Sequence, residues 1–562
     1  MTGASPEAPV LDIRDLTIRL RGRDGATLLQ DVSLSVAAGE TLCLVGESGS
    51  GKSLTSLATM GLLPEADLEI GGGSIRLCGE ELRGASRKRL QALRTTRMSM
   101  IFQEPMTALN PVARIGDQIE EVLLIHTQLG TAERRARVLD ILAKVNLPDP
   151  RAIMRAYPDQ LSGGQRQRVM IAMALVLEPA LLIADEPTTA LDVTTQKQVL
   201  DLIRTLQKDR GTAILFITHD MGVVAEIADR VAVLNAGAMV ETGSLQGVLS
   251  NPTRDYTRAL LKAVPGLEPR PARPDTSAGF ALELDGLDKT FGRRGIFGRG
   301  REVRALDDIS LHLRPGRTLG IVGESGSGKS TLARCVMQLE APDSGVIRVC
   351  GDHVDNLHGA SLRNMRRRIQ MVFQDPYRSL NPRVTVGETI AEAPINYGMP
   401  HAEALALARD LLVKVGLPRN AADRLPHQFS GGQRQRIAIA RAIAVEPDVL
   451  VADEAVSALD VSVQAQVLDL FEQIQAEMGV AILFITHDLR VAARICDDIA
   501  VMRGGQLVEW GPAAAVLTAS RQDYTRRLLA AAPGSHWDFA RFRPFPVRAP
   551  DMTGIAAPGR PA

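Results

Sequence analysis

Aromatic residues are scarce, at 3% of the chain, and neither sign of charge is in surplus: Lys+Arg and Asp+Glu both number 65. A balanced chain sets up no global field toward nucleic acid or an anionic membrane. Long apolar runs are absent too. The longest, Val169 to Leu177, stops at Glu178-Pro179, well short of the roughly 18–20 residues that span a bilayer. Any membrane function is therefore expected to need another chain, this one being soluble by itself. Met1 to Pro9 is polar and rich in Pro and Ala, unlike a secretory signal, which is basic and then apolar. The five cysteines, Cys43, Cys78, Cys335, Cys350 and Cys496, form no C-x-x-C pair. That excludes the usual metal and disulfide spacings and fits a reducing compartment. Cys43, Cys78 and Cys350 fall in predicted strands and are expected to be packed thiols.

What the chain has is a long repeat. At 562 residues it exceeds the roughly 100–200 of one domain. Gly46-Glu47-Ser48-Gly49-Ser50-Gly51-Lys52-Ser53 recurs as Gly323-Glu324-Ser325-Gly326-Ser327-Gly328-Lys329-Ser330, at an offset of 277. Gln103 and Gln374 are 271 apart; Ser162 and Ser430, like His219 and His487, are 268 apart. A period this long means two whole domains rather than a short-repeat solenoid. Short apolar strands (Leu42–Val45, Met98–Gln103, Leu181–Ala184, Ala213–Thr218 and their counterparts) alternate with helical segments such as 115–144 and 386–415. That alternation predicts an α/β fold built on a parallel, helix-flanked sheet. The halves are read as residues 10–262 and 281–534, each ending in a short extension. Pro265, Pro269, Pro271 and Pro274 predict an extended linker over 263–280. Its 18 residues reach up to about 60 Å at ~3.3 Å each, enough for the halves to dock in either order. From Ser535 the chain is rich in Pro, Arg and Ala with Trp537, Phe539, Phe542 and Phe545 interspersed, which predicts a disordered tail over 535–562, with a docking strip as the alternative.

Each glycine-rich octet follows an apolar run and precedes a helix, the setting of a phosphate-binding P-loop. The glycines let backbone N–H groups approach phosphate oxygens at the positive end of a helix dipole. Lys52 and Lys329 are expected at the β- and γ-phosphates, and the Ser53 and Ser330 hydroxyls on Mg²⁺. Downstream, an apolar strand ends in Asp185-Glu186 and again in Asp453-Glu454. There the aspartate can serve Mg²⁺ and the glutamate can polarise an attacking water. Ser162-Gly163-Gly164-Gln165 and Ser430-Gly431-Gly432-Gln433 each open a further helix, hence a second anion site per half. Two such sites per half, with one nucleotide per P-loop, suggest that each nucleotide is shared by both halves.

With these motifs in place the chain resembles a tandem ATP-binding cassette (ABC) ATPase over nearly all of Leu11 to Pro533. The resemblance implies two nucleotide-binding domains, each a RecA-like parallel core with an antiparallel β subdomain and a helical subdomain. It implies ATP and Mg²⁺ as cofactors. Gln103 and Gln374 match the family's Q-loop, which senses Mg²⁺ and the attacking water beside the groove where a membrane subunit docks. Ala190-Leu191-Asp192 and Ala458-Leu459-Asp460 match the D-loop, and His219 and His487 the switch histidine at the γ-phosphate. The implied pairing is head-to-tail within one chain. One site draws Lys52, Ser53, Gln103, Asp185, Glu186 and His219 from the first half, with Ser430, Gly432 and Gln433 from the second. The other draws Lys329, Ser330, Gln374, Asp453, Glu454 and His487, with Ser162, Gly164 and Gln165. Both are expected to hydrolyse ATP. Two departures stand out: the adenine-stacking aromatic is Phe291 in the second half but Leu20 in the first, and Ala455 replaces the proline seen at Pro187.

The Q-loop contexts Phe102-Gln103-Glu104-Pro105 and Phe373-Gln374-Asp375-Pro376, with the later Asp255-Tyr256-Thr257-Arg258 and Asp523-Tyr524-Thr525-Arg526, are similar to bacterial dipeptide and oligopeptide importers. These include systems for glutathione or peptide antibiotics. That resemblance implies two integral-membrane permease subunits, an extracytoplasmic solute-binding protein, and a peripheral place on the cytoplasmic face of the inner membrane. The competing reading is a soluble tandem cassette acting on ribosomes or DNA. Against it, the connector is short and proline-rich and no cysteine-rich insertion exists. The arginines Arg293, Arg294, Arg299 and Arg301 lack aromatic partners for a nucleic-acid face, so no nucleic acid is expected as a partner.

Overall fold

The computed structural model describes residues 8–22, 25–102, 108–188, 191–273, 279–292, 302–354, 357–457 and 459–545. Gln103, Ala190, Ala458, Pro274 and the arginines at 293, 294, 299 and 301 lie outside the described residues.

Each half is an α/β cassette with two sheets. In the first, the P-loop strand Thr41–Val45 is central in a six-stranded sheet. Ala213–Thr218 pairs parallel to one edge of it and Arg230–Asn235 to the other. Leu181–Asp185 and Met98–Ile101 extend the parallel side, and Ala238–Ser244 closes the far side antiparallel. The parallel strands Thr41–Val45, Leu181–Asp185 and Ala213–Thr218 are buried along their whole length. They therefore read as continuous apolar runs, because helices cover one face and the second sheet, with the helix Lys52–Met60, covers the other. A four-stranded antiparallel sheet, led by Leu11–Leu20 and Thr27–Val36, packs against this core. The second half repeats both sheets, with Thr318–Val322 in the central position.

The helical segments differ from the sequence reading in a legible way. Residues 115–144 form two helices, Ile115–His126 and Thr131–Lys144, and 386–415 form Val386–Asn396 and His401–Lys414. The breaks fall at Gly130 and Pro400, which sit in extended backbone as the helix N-caps. Cys78 and Cys350 also differ from expectation. Both are exposed at positive φ in the turns that follow their strands, whereas Cys43 is buried as expected. Among the described residues no helix is long and apolar enough to cross a membrane.

The connector is fastened over its described residues up to Arg273. Arg273 holds Asp497 through two hydrogen bonds of 2.9 and 2.6 Å, and Arg270 donates to the Ile495 carbonyl at 2.8 Å. These partners belong to the second cassette. The expected disorder from Ser535 does not hold for residues 535–545. Trp537–Asp538 pairs with Arg543–Pro544, and Trp537 and Phe539 are buried in the core of the first cassette. Aromatic burial outweighs the cost of ordering the proline-rich backbone there.

Candidate active site

Every P-loop glycine at positive φ has a physical reason to be glycine. A Cβ at Gly46 would lie 2.1 Å from the Leu234 carbonyl oxygen, and one at Gly323 2.2 Å from that of Met502. The loop thus lies against the neighbouring strand with no room for a side chain. Lys52 is buried and donates to the Gly46 and Glu47 carbonyls at 2.7 and 2.9 Å. Lys329 makes the same pair at 2.8 and 2.8 Å. Burial lowers the proton affinity of both ammonium groups, against nearby carboxylates that raise it. Each ammonium is thus folded back over its loop, where an anion can replace the carbonyls as its partner.

The acidic pairs end their strands as expected. Burial pushes the Asp185 carboxyl up to about 6, aided by Glu186 and opposed by a 3.3 Å hydrogen bond from the Ser53 hydroxyl. Asp453 is pushed up to about 6, again chiefly by burial. Its Oδ1 is buried with no hydrogen-bond partner. A desolvated carboxylate beside the Ser53 hydroxyl in the first cassette, and one with an orphaned buried oxygen in the second, each fit a hard divalent cation with oxygen ligands. Proton release must precede such binding, so cation affinity falls as pH drops through about 6.

Glu186 and Glu454 both hold φ 47, a left-handed conformation costly for a non-glycine residue. Hydrogen bonds from their N–H groups to the Ile217 and Ile485 carbonyls, 2.9 Å each, hold them there. His219 Nδ1 lies 3.0 Å from Glu186 and His487 Nδ1 3.6 Å from Glu454. Burial opposes the charged imidazolium at both, but the adjacent glutamate outweighs it and raises both histidines. Gln374 donates to Glu454 at 2.7 Å. The second cassette therefore gathers Gln374, Glu454 and His487 at one point.

Ser162 and Ser430 cap their helices in matching boxes, each accepting from the N–H of Gln165 or Gln433 at 3.3 Å. Glycine is required two residues later. A Cβ at Gly164 would meet Thr195 at 2.5 Å, and one at Gly432 would meet Val463 at 2.2 Å. The helix starting at Val461 in turn touches the other cassette. The Ser48 N–H donates to Asp460 at 2.9 Å, and the Ser462 hydroxyl donates to the Glu47 carboxylate. The opposite side is not identical. Asp192 caps its own helix through Thr195, while its charge acts on Lys329.

Two supports escaped the reading of the sequence as chemistry. Tyr256 and Tyr524, in the extensions, accept hydrogen bonds from the Glu47 and Glu324 N–H groups at 3.3 and 3.4 Å. Their matched places in the two repeats were the available signal. Beside the first Q-loop, a groove of about 500 Å³ is lined by Leu62, Met100, Phe102, Val122, Met170 and Met173. Phe102 and Phe373 stand 41% and 40% exposed, at equivalent places in the two cassettes.

Known proteins match this sequence along most of the chain. The family model described as ABC transporter matches residues 29–189 and 306–457. A second, described as Oligopeptide/dipeptide transporter, C-terminal region, matches residues 240–288. The chain is 46% identical to the glutathione import ATP-binding protein GsiA of Pectobacterium atrosepticum, over 94% of this chain and 90% of that protein. It is 47% identical to the protein of that name from Salmonella choleraesuis, over 92% and 88%. With that from Escherichia coli O6:H1 the identity is 46% over 93% and 89%. Both P-loops, both acidic pairs and the extension after the first cassette fall inside these matches, and the chain accordingly belongs to the ABC transporter family, as an ATPase with two cassettes in one polypeptide.

Proposed function

We propose that this chain energises a bacterial importer of small peptides, glutathione among the candidates, from the cytoplasmic face of the inner membrane. The observation that carries the substrate class is 46–47% identity, along both cassettes and the extension, to proteins named for glutathione import. Two permease subunits are the partners, each gripping one exposed apolar Q-loop surface, and an extracytoplasmic solute-binding protein delivers the solute. The groove lined by Phe102 and its methionines supports that docking.

Each ATP lies between a P-loop of one half and the Ser-Gly-Gly-Gln turn of the other. The contacts of Ser48 with Asp460 and of Glu47 with Ser462 support this pairing. Lys52 and Lys329 turn from their loop carbonyls to the phosphates, and Ser430 and Ser162 close on them from across the interface. Ser53, Asp185 and Gln103 in one site, and Ser330, Asp453 and Gln374 in the other, would hold Mg²⁺, which neutralises phosphate charge when bound. Glu186 and Glu454 each accept a proton from the attacking water, held in line by His219 and His487. Contacts made only around the γ-phosphate favour the closed form, so hydrolysis reopens it.

Phe291 stacks on adenine in one site, while Leu20 leaves the other without an aromatic face. Replacing Leu20 by tyrosine is expected to tighten nucleotide binding at the Lys52 site by ~1–3 kcal/mol, the worth of base–aromatic stacking. Titration with a fluorescent ATP analogue checks this, and an unchanged affinity would reject the adenine assignment. For the function as a whole, the tagged chain is expected to co-purify with a pair of integral-membrane subunits. A strain lacking it should lose uptake of glutathione or of di- and oligopeptides. Co-purification with ribosomes or DNA, with uptake intact, would replace the importer reading by the soluble one.

A further inference from the structure

Where the cassettes meet, a cavity of about 100 Å³ is lined by both switch histidines and by the aspartates that follow them, Asp220 and Asp488. These two positions are related by the repeat, yet one cation serves both. Arg490, on the helix Leu489–Ile495, has a side chain only 9% exposed. Its Nη2 lies 3.2 Å from Asp220 Oδ2 and 3.3 Å from Asp488 Oδ2. Its Nη1 donates to Asp220 Oδ1 at 3.4 Å and to the Pro533 carbonyl at 3.2 Å. Each aspartate also caps the helix after its histidine: Asp220 accepts from the Gly222 N–H, and Asp488 from that of Arg490, both at 2.8 Å. Each is further held by its backbone N–H, which donates to Thr218 or Thr486 at 3.0 Å. The aspartates are thus rigidly joined to the backbone that carries His219 and His487.

The repeat equivalent of Arg490 is Gly222. A Cβ there would lie 2.3 Å from Arg490 Nη1 and 2.5 Å from the Pro533 oxygen. The glycine vacates the space the guanidinium fills, so the axis between the halves has room for one arginine. We propose that Arg490 is a positioning residue that couples the two ATP sites, tying the His219 loop of one cassette to the His487 loop of the other. It rests on the switch-histidine reading given above. A planar fork with several fixed donors suits two carboxylates at once, which a lysine point charge does not. Without it, two partly buried carboxylates face each other uncompensated and the loops are driven apart. A shift of one histidine toward its γ-phosphate then no longer draws on the other.

The test is the ATP dependence of hydrolysis by the full chain. The intact protein is expected to give a Hill coefficient above 1, bounded by its two sites. Arg490→Gln should bring it to about 1, with kcat falling more than the half-saturating ATP concentration changes. Arg490→Lys should give an intermediate coefficient. Gly222→Arg combined with Arg490→Gly moves the arginine to the mirror position, where Pro265 replaces Pro533, and should restore the coefficient that Arg490→Gly alone loses. Circular dichroism and thermal unfolding confirm that each variant is folded. A folded Arg490→Gln protein with the wild-type coefficient would overturn the proposal. So would a folded exchange variant no better than Arg490→Gly, because the arginine would then be packing alone. Absence of hydrolysis in the intact chain would remove the ATPase reading as well, whereas hydrolysis with an unchanged coefficient removes only the coupling.

Discussion

Replacing Glu186 and Glu454 together by glutamine is expected to lower ATP turnover by about 10²–10⁴-fold, the contribution of a positioned general base. Bound ATP should remain with the protein through gel filtration. Glutamine keeps the shape and the hydrogen bond to histidine but cannot accept the water's proton. Both glutamates sit in the same strained backbone conformation, φ 47, pinned by a hydrogen bond from their own N–H to a carbonyl of the adjacent strand. Such strain persists only where the surroundings enforce it, and here it aims the carboxylate at the histidine. Each single variant should also fall clearly below wild type. Wild-type turnover in either one would remove the general-base role from that glutamate.

The second large effect concerns stability. Trp537→Ala is expected to destabilise the chain by roughly 3–5 kcal/mol, as is usual for truncating a buried tryptophan. Trp537 is 6% exposed and stacks on Phe539 at 6.4 Å between centroids, within the core of the first cassette. Nearby, Lys262 lies over the Phe542 ring and the Gly534 N–H donates to Glu226 at 3.1 Å. The end of the second cassette thus completes the first. Urea unfolding and hydrogen exchange in the helix Asp255–Lys262 read the loss. A midpoint within the scatter of surface variants would show that the tail only rests on the cassette.

That tail also marks where sequence reading stops. P-loop, acidic pair and Ser-Gly-Gly-Gln turn were legible because each is dictated locally. Close approach of backbone to strand admits only glycine at Gly46 and Gly323, and a helix start needs a capping oxygen such as Ser162 or Ser430. The two-layer cassette was legible for a similar reason, since fully buried strands such as Ala213–Thr218 must be apolar throughout. Trp537 and Phe539 gave only a weak signal, as aromatics spaced through a tail that otherwise reads as disordered. Their partners lie far back in the chain, and the flanking prolines and arginines imitate an unfolded segment. Arg490 was silent, because its meaning comes from Asp220 and Gly222, which reach it only across the interface. The helix breaks at Gly130 and Pro400 were written in the sequence but were overridden by the apolar periodicity on either side.

If each ATP belongs to both halves, inactivating pairs of residues reveals it directly. Lys52→Ala with Ser430→Ala removes two parts of the same site. The pair should hydrolyse ATP as well as Lys52→Ala alone, through the intact Lys329 site. Lys52→Ala with Ser162→Ala damages both sites and should fall at least about tenfold below either single variant, as loss of transition-state contacts in each site requires. The opposite ranking, with Lys52 and Ser162 behaving as one site, would mean that each cassette completes its own nucleotide pocket and would contradict the shared arrangement.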